Sequence, residues 1–445
     1  KRQCETIRVF GSPEDAALLT IYNTQPFGAT DELEVEWKLL LGGIRVKGGK
    51  GIMPPLKAFE NRKVQLPFNV NDFYSKEFLD SDPKIRQMLE KARCKELILH
   101  LSISVPRDTD IYQKGDEIGF YQEILDDNFN TTAPSKNALA VISSDDLTSI
   151  TAIQLSATPA LIIARAGKTI ATFNKSQGAL CSLSCNNVEC LNGHFLPSFY
   201  RAATNLDRSD QSYILSATVF SKETDWRSIQ REIEFKKLRY EMDGEDFTVL
   251  SEYRSPIMRD PILIFYRLRP SGRLEVTLSF RPRFDPVRYG FRMTSPNATK
   301  QITWYGRGPI ESYPDRKEAC PVGLYRSTPE EMVHLYDRPA ESGARSDVRF
   351  IAVTSEEGKG VLIRKDNRGN FSFTATPYSP EDLDDNPHME TLPLDDDYEI
   401  FLDFYQKEIE RTGKSPKHPK SIDTEEATFI FEPITGLEQI GLGIY

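Results

Sequence analysis

Hydrophobic and polar residues alternate with a period of two in several stretches of this chain. In residues 32–39 every second residue is apolar, and the residues between them are charged. The apolar positions of this stretch are Leu33, Val35, Trp37 and Leu39. The same alternation recurs in residues 97–105 and 274–280. A strand that buries one face and leaves the other in water has this period, so each stretch predicts a β-strand.

Short segments rich in glycine separate the predicted strands. Residues 41–43 read Leu-Gly-Gly and residues 48–51 read Gly-Gly-Lys-Gly, while Pro, Asn and Asp cluster between other apolar runs. Turns of this composition connect neighbouring antiparallel strands. The sequence therefore predicts an all-β protein built mostly from antiparallel sheets, with tight turns at residues 41–43 and 48–51.

One segment, residues 81–92, has a helical pattern instead. Ser81 or Asp82 can cap a helix there, and Pro83 suits its first turn. The apolar residues that share one face are Ile85, Met88, Leu89 and Ala92. We interpret this segment as a helical insertion in the first sandwich, and we expect its apolar stripe to face the core.

A polar stretch, residues 126–150, divides the chain. It is rich in turn-forming residues and follows neither period, so we interpret it as a linker. Residues 1–125 have the size of an immunoglobulin-like sandwich. Residues 151–445 are long enough for two large sheets or a pair of sandwiches.

Charge and length exclude several classes of protein. The 445 residues include 56 basic and 66 acidic side chains, for a formal net charge of −10. Nucleic-acid binding depends on clustered Lys and Arg, and no basic stripe is present, so nucleic acid is not an expected partner. No stretch reaches the ~20 apolar residues of a spanning helix, so we expect no membrane span. The chain starts with Lys1 and no signal-peptide core follows, so we expect a processed piece, a trimmed chain or one subunit.

Metal and redox chemistry have little support in the sequence. The six cysteines are too few for a disulfide scaffold, so we expect reduced thiols and favour a cytoplasmic location. Cys181, Cys185 and Cys190 lie close together, but a fourth ligand beyond His194 is lacking, and the five histidines are isolated. We therefore expect neither a metal nor another cofactor. Residues 382–387 lack the glycine of a calcium loop, so we expect a solvated acidic loop there.

Four Asn-x-Ser/Thr sequons are present, at Asn130, Asn174, Asn297 and Asn370. In a secreted protein they would be candidate glycan acceptors. A chain of this length also yields such matches by chance.

One segment combines glycines, prolines, aromatic rings and carboxylates. Residues 304–316 read Trp-Tyr-Gly-Arg-Gly-Pro-Ile-Glu-Ser-Tyr-Pro-Asp-Arg. Its glycines and prolines impose a sharply folded loop, whose amides and carbonyls Glu311, Asp315 and Arg316 can bond. Aromatic faces beside carboxylates also suit sugar rings. The residue types favour a structural loop and leave a sugar site open, because such glycines serve backbone geometry first.

Four motifs in this order resemble one family. Residues 304–316 resemble a Trp-x-Gly-x-Gly-Pro-x-Glu-x-Tyr-x-Asp signature, and residues 336–349 a Tyr-x-x-Pro-Gln-Glu-x-Gly run, with Ala340 in place of Gln. Residues 371–388 resemble the Phe-Ser, Pro-Tyr and His run that follows, and residues 197–202 a Pro-x-Phe-Trp-Arg-Ala loop upstream. These motifs belong to the last domains of the large family 2 β-galactosidases, which this chain is similar to over nearly its whole length.

The resemblance implies a fold and the roles of several residues. Residues 1–125 resemble the immunoglobulin-like domain that follows the catalytic barrel, and the remainder resembles the galactose-mutarotase-like supersandwich. We expect the motif residues to hold loops rather than touch a substrate. They are Trp304, Gly306, Gly308, Pro309, Glu311, Tyr313, Asp315, Glu341 and His388.

Departures from the family pattern affect its chemistry. The family's retaining mechanism uses two carboxylates ~5 Å apart on a (β/α)8 barrel, and this chain has neither a barrel pattern nor the Asn-Glu pair that carries the acid/base. After Arg201 only Asp207 of the family's polar loop is retained, with Leu206 beside it. Lys414 occupies the place of the tryptophan that stacks on galactose. If a sugar-facing site survives, Arg201, Asp207 and Lys414 are its candidates.

Three hypotheses follow. The first is a non-catalytic C-terminal portion or subunit of a family 2 β-galactosidase-like protein, which braces or completes a glycosidase barrel located elsewhere. The second is a β-sandwich scaffold repurposed as a subunit of another assembly. The third is a weak carbohydrate-binding module for galactosides, with ring faces from Trp304, Tyr305 and Tyr313. The implied partners are a barrel-bearing chain or other protein subunits.

Overall fold

The computed structural model describes most of the chain. The described residues are 7–74, 96–126, 152–204, 226–256, 258–282, 286–366, 369–393, 397–407, 409 and 425–440. The helix predicted over residues 81–92 and the linker predicted after residue 126 lie outside these ranges. So do two of the predicted sugar-facing residues, Asp207 and Lys414.

The chain divides into two compact units. The first comprises Lys1–Ala140 with Leu437–Tyr445, and the second comprises Val141–Gly436. The domain limits at residues 125 and 151 stay predictions, as do the immunoglobulin-like and mutarotase-like labels of the two parts.

The described residues of the first unit form two antiparallel sheets and 3₁₀ turns at Val70–Tyr74 and Leu437–Ile440. One sheet has the order β1-β2-β5, with β1 at Ile7–Gly11, β2 at Leu18–Asn23 and β5 at Asn61–Gln65. The other has the order β4-β3-β6-β7, with β3 at Leu33–Leu41, β4 at Ile44–Met53, β6 at Leu97–Ser104 and β7 at Glu117–Asp126. The alternation predicted for residues 32–39 is confirmed, because the apolar positions of β3 are buried in turn.

One of the two predicted turns in this unit is wrong. Gly42 and Gly43 do form the turn between β3 and β4, with φ of 56° and 87°. Residues 48–51, by contrast, lie inside β4, where Gly49 is opposite Trp37. A Cβ on Gly49 would lie 2.8 Å from the indole nitrogen of Trp37, and one on Gly48 would lie 2.5 Å from the Trp37 carbonyl oxygen. Glycine therefore lets this strand pass across the indole.

In the part of the second unit that the structure describes, the strands form three antiparallel sheets. A five-stranded sheet has the order β12-β11-β10-β9-β8, from β8 (Gln154–Ala157), β9 (Leu161–Ala166), β10 (Thr169–Asn174), β11 (Ala179–Cys185) and β12 (Val188–Asn192). Another has the order β13-β18-β25-β24-β21, from β13 (Leu196–Ser198), β18 (Arg288–Pro296), β21 (Arg345–Val348), β24 (Phe371–Thr376) and β25 (Asp397–Gln406).

The largest sheet has nine strands in the order β14-β15-β16-β17-β26-β23-β22-β19-β20. They are β14 (Glu234–Asp243), β15 (Asp246–Arg254), β16 (Ile262–Leu268), β17 (Leu274–Phe280), β19 (Gln301–Arg307), β20 (Val322–Ser327), β22 (Phe350–Thr354), β23 (Gly360–Lys365) and β26 (Glu425–Ile434). Among the described residues of this unit, the short helices are α1 (Trp226–Arg231), α2 (Pro329–Met332) and α3 (Pro380–Asp385), with 3₁₀ turns at Asn297–Thr299 and Met389–Thr391.

Aromatic residues from different sheets form the core of the second unit. Phe195 packs against Phe291 of β18 and Phe431 of β26, with ring centroids 4.4 Å and 5.7 Å apart. Such pairs fix how facing sheets meet, because aromatic rings supply much of the buried apolar area. The predicted all-β class is confirmed. Among the described residues, no helix has the length and apolarity that crossing a membrane requires.

Candidate functional site

A buried ion network lies in the second unit and joins residues from different parts of the chain. Arg288 Nη2 lies 2.9 Å from Asp403 Oδ2 and 3.5 Å from Glu341 Oε1. Gln406 Nε2 donates to Glu341 Oε1 at 3.0 Å. All four side chains are buried, and the Arg288 guanidinium also lies 4.4 Å from the ring of Phe401. A buried charge is tolerated when it is paired in this way.

Two neighbouring strands bring most of this network together. Arg288 begins β18 and Asp403 lies on β25, and a bulge interrupts their pairing between Tyr289 and Gly290. Gly290 is opposite Asp403, where a Cβ would lie 1.9 Å from the Leu402 carbonyl oxygen. A bulge adds a residue to one strand and redirects its side chains. Here it allows Asp403 and Gln406, three residues apart, to reach the same network.

Burial changes the acidity of the two carboxylates. It raises the pKa of Asp403 to about 7, although the nearby Arg288 lowers it. Burial also raises the pKa of Glu341, against the attraction of Arg288 and Arg201. Loss of hydration disfavours the charged form of an acid, and here it outweighs the attraction of the guanidinium groups. Each of these two carboxyl groups therefore holds its proton more firmly than an exposed carboxyl group would.

The loop of residues 304–316 is packed tightly at its start. Trp304 is buried and its indole nitrogen donates to the Arg307 carbonyl oxygen at 3.0 Å. A Cβ on Gly306 would lie 2.8 Å from Val348 Cα, and one on Gly308 would lie 2.8 Å from the Tyr325 ring. Gly308 and Pro309 are joined by a cis peptide bond. The two glycines and the proline serve backbone geometry, and the buried Trp304 presents no aromatic ring to solvent.

The carboxylates of the same loop bind protein groups. Glu311 accepts hydrogen bonds from the Gly343 amide and from the Tyr336 hydroxyl, both at 2.9 Å, and pairs with Arg316. Asp315 Oδ1 accepts from the Ile409 amide at 3.3 Å. The loop is thereby fastened to the segment around residues 336–343 and to the chain beyond β25.

Tyr313, in the same loop, packs in the interior of the protein. Its ring is fully buried and packs in a small cluster with Ala344 and Ile409. Burial raises the pKa of its hydroxyl well above the ordinary value. A ring in this position has no face for a sugar to stack on.

Arg201, a predicted sugar-facing residue, is buried beside the ion network. Its Nη1 donates to the Lys407 carbonyl oxygen at 2.6 Å. Its charge also lowers the pKa values of Glu341 and Asp403. The structure therefore joins the segment before residue 205 to the segment after β25, while Asp207 and Lys414 lie outside the described residues.

The acidic segment near residue 382 differs from the prediction. Residues 380–385 form α3 rather than a solvated loop. Asp384 binds the Tyr200 hydroxyl and accepts from the Ala203 amide at 2.9 Å, and Asp385 pairs with Arg227. These contacts tie α3 to the motif at residues 197–202. His388 is exposed, and its carbonyl oxygen accepts from the Thr391 hydroxyl at 2.8 Å.

The sequence reasoning missed Arg288, Asp403 and Gln406. Asp403 carried a usable signal, because it is a lone acid in the apolar run of residues 400–404. Arg288 carried none, since arginines at the start of a strand are ordinary surface residues.

The described residues form an all-β protein of two units, and Glu341 of the 336–349 motif takes part in a buried ion network. Comparison with known proteins identifies its family. Residues 165–420 match the family described as Beta galactosidase small chain, and residues 19–126 match Beta-galactosidase, domain 4. The first match covers more than half of the chain. The chain belongs to the Beta galactosidase small chain family.

Individual relatives agree with this assignment. The chain is 27% identical over 338 residues to a Beta-galactosidase of Priestia megaterium, covering 73% of this chain and 30% of that protein. It is 25% identical over 274 residues to a Beta-galactosidase of Staphylococcus xylosus, covering 60% and 26% respectively. A Beta-galactosidase of Kluyveromyces lactis is 36% identical over 102 residues, which are 23% of this chain and 10% of that protein. The chain thus spans less than a third of the length of these relatives, and its predicted similarity to the C-terminal domains of β-galactosidases is confirmed.

Proposed function

We propose that this chain is the non-catalytic C-terminal portion or subunit of a β-galactosidase-like protein and braces or completes a glycosidase barrel located elsewhere. One observation carries the proposal. Hydrogen bonds join the motif segments in two pairs, residues 304–316 to 336–349 through Glu311 and Gly343, and residues 197–202 to 371–388 through Tyr200 and Asp384. Glu341 of the 336–349 motif also pairs with the buried Arg288, so these carboxylates are used within the protein. Such an arrangement fixes loops in place and leaves little for a substrate to bind.

Sugar cleavage requires a different arrangement of acids. A retaining glycosidase needs two carboxylates about 5 Å apart, open to the substrate. Glu341 and Asp403 do meet at one nitrogen of Arg288, but they are only 5% and 0% exposed. A galactoside cannot reach them without unfolding the network. We therefore assign the pair a structural role.

The rings that suggested a carbohydrate-binding module support the same conclusion. Trp304, Tyr305 and Tyr313 are all buried. Stacking on a sugar needs an exposed ring face, which these residues do not offer. For this reason we propose no sugar site on them.

Two measurements test the proposal. The purified chain should not hydrolyse a nitrophenyl galactoside. The native protein, isolated from its source with an antibody and analysed by peptide mass spectrometry, should contain a (β/α)8 barrel in the same polypeptide or in a co-purifying chain, together with galactosidase activity. Turnover by the purified chain alone would refute the proposal, as would native material in which peptide coverage finds no barrel.

A matched pair of variants tests whether galactosidase activity depends on the ion network of this chain. With the barrel-bearing partner supplied, Arg288→Met should lower galactosidase activity, because Glu341 of the 336–349 motif and Asp403 lose the buried cation that pairs with them. Arg254→Met removes an exposed pair with Glu252 and should leave the activity unchanged. Equal activity of both variants, with both chains folded, would contradict a bracing role.

A further inference from the structure

Strand β14 forms one edge of the nine-stranded sheet. Its hydrogen-bonded neighbour is β15, and its other side has no paired strand among the described residues. An edge strand presents a row of backbone donors and acceptors that can pair with another chain. Two large side chains near its end are also exposed, Tyr240 at 42% and Met242 at 43%.

The two faces of β14 differ in chemistry. A bulge lies between Phe235 and Lys237, and the pairing with β15 is regular from there to the end of the strand. In this regular part Tyr240 is opposite the buried Val249, and Met242 is opposite the buried Phe247. Leu238, Tyr240 and Met242 therefore lie on the face that continues the core. The residues between them are charged and lie on the opposite face; they are Lys237, Arg239, Glu241 and Asp243.

The facing sheet is also open at this edge. Its edge strand β8 is exposed at all four residues, including Leu155 at 42%. Lys175 links the two edges, because its Nζ donates to the Thr158 carbonyl oxygen at 2.6 Å and lies 5.4 Å from the centre of the Tyr240 ring. The apolar stripe of β14 thus borders an open side of the sandwich.

Residues 237–243, the regular part of β14, are complementary to a second copy of themselves that runs in the opposite direction. With Tyr240 at the centre of an antiparallel pair, residue 237 lies opposite 243, residue 238 opposite 242 and residue 239 opposite 241. The facing pairs are then Lys with Asp, Leu with Met and Arg with Glu, and Tyr240 meets its own copy. Opposite charges and apolar side chains in facing positions are the pairs that stabilise a sheet.

The charged residues of this strand are available for such pairing. Lys237, Arg239 and Glu241 are exposed and make no salt bridge within the part of the chain that the structure describes. Asp243 lies 3.4 Å from Arg267 in a pair that is itself exposed, so it can share its charge with a further cation.

We propose that β14 is a self-association surface, through which two copies of this chain pair antiparallel about a two-fold axis at Tyr240. Strand β14 of one copy then extends the nine-stranded sheet of the other. A two-fold interface requires a surface that is complementary to itself, and residues 237–243 meet this requirement in both charge and polarity. The proposal does not depend on the proposed function, because it concerns a different surface of the second unit.

Charge reversal provides the sharpest test. Sedimentation of the purified chain should reveal a monomer–dimer equilibrium that weakens with added salt. Arg239→Glu sets like charges opposite Glu241 at two symmetric positions, so the dissociation constant should rise at least about tenfold. The double variant Arg239→Glu/Glu241→Arg restores opposite charges and should recover the dimer. Arg8→Glu, on an exposed strand position of the first unit, serves as the control and should change nothing.

Cross-linking tests the register of the pairing. Two copies of Tyr240→Cys would face each other and should be joined by a short bismaleimide. Two copies of Lys237→Cys would lie about 20 Å apart along the strands and should not be joined, while the unmodified chain measures the background from its own cysteines. A chain that stays monomeric at all concentrations and salt levels would overturn the proposal. So would a dimer that tolerates Arg239→Glu, or one that cross-links equally through position 237.

Discussion

At the scale of single residues, Arg288 shows how a buried charge can be kept. Its guanidinium is shared by Asp403 and Glu341, and the ring of Phe401 lies beneath it. Burying ions costs several kcal/mol each, and attraction in the interior offsets this cost only when the partners are close. The presence of these buried ion pairs is therefore weak evidence for added stability. Each charged residue nevertheless needs its partners, because an unpaired charge in the interior is costly.

Removing one member exposes that dependence. Arg288→Met leaves two carboxyl groups buried without their cation, so we expect the free energy of unfolding to fall by about 3–5 kcal/mol. Arg254→Met removes an exposed partner of Glu252, and its cost should stay below about 1 kcal/mol. Urea unfolding of the three proteins measures both values. A loss at Arg288 no larger than that at Arg254 would contradict the role given to the network.

The raised pKa of Asp403 makes a prediction about pH. Because the pKa is about 7 in the folded chain against an ordinary value of 3.8, the folded state binds a proton more tightly than the unfolded state between these values. The stability contributed by Asp403 is thus fully present below pH 4 and is lost as the pH rises towards 7.

Asp403→Asn removes this titration and nearly preserves the shape of the protonated acid. The difference in unfolding free energy, wild type minus variant, should therefore decrease between about pH 4 and pH 7. Chemical denaturation at several pH values measures this difference. A difference that stays constant or increases over the range would show that the pKa is not raised.

At the scale of elements, strand β4 depends on its glycines. The Trp37 ring lies against Gly49. It also stacks on Phe68, whose ring centroid is 5.5 Å away. Because the indole is buried, it cannot move aside for a new side chain. Glycine is unfavourable in the interior of a strand, but here it is the residue that lets β4 pass close to the Trp37 ring.

Two alanine substitutions in this strand test that statement. Gly49→Ala places a Cβ 2.8 Å from the Trp37 indole nitrogen, so we expect a loss of about 1–3 kcal/mol in unfolding free energy. Gly51→Ala lies in the same strand with no atom within 4 Å of the new Cβ, so it should not lower stability and should raise it by about 0.5–1 kcal/mol. Thermal unfolding of the first unit compares them. Similar values for both variants would mean that the indole contact does not require glycine.

This contrast also indicates which elements can be predicted from the sequence. Strand β3 is readable because its alternation is local, with one buried face repeated along consecutive residues. Residues 48–51 are not, since glycine is used there for a contact with a ring on another strand. The prediction of a solvated loop at residues 382–387 is wrong for a similar reason, because Tyr200 and Arg227, the partners of Asp384 and Asp385, lie far away in the sequence.

The same limit applies to the candidate site. The loop of residues 304–316 can be recognised in the sequence by its glycines and prolines. The buried ion network cannot be recognised in this way, because Arg288 and Asp403 meet across a bulge that no local pattern encodes. Sequence reasoning can locate the motifs, whereas the ion pairs that Arg288 makes with Glu341 and Asp403 are visible only in the fold.

At the scale of the whole molecule, the described residues form two large hydrophobic cores, one in each unit. Leu99 is fully buried in the core of the first unit, and Phe195 in that of the second. Among the described residues, no buried side chain belongs to both cores. Each unit therefore has the means for its own cooperative unfolding.

Calorimetry should accordingly show two transitions that respond to different substitutions. Leu99→Ala leaves a cavity in the first core and should cost about 2–5 kcal/mol, which lowers the midpoint of one transition by on the order of 10 °C. Phe195→Ala should cost about 3–5 kcal/mol and lower the midpoint of the other transition. If either variant shifts both transitions equally, or if a single transition moves in both variants, the two units do not unfold independently.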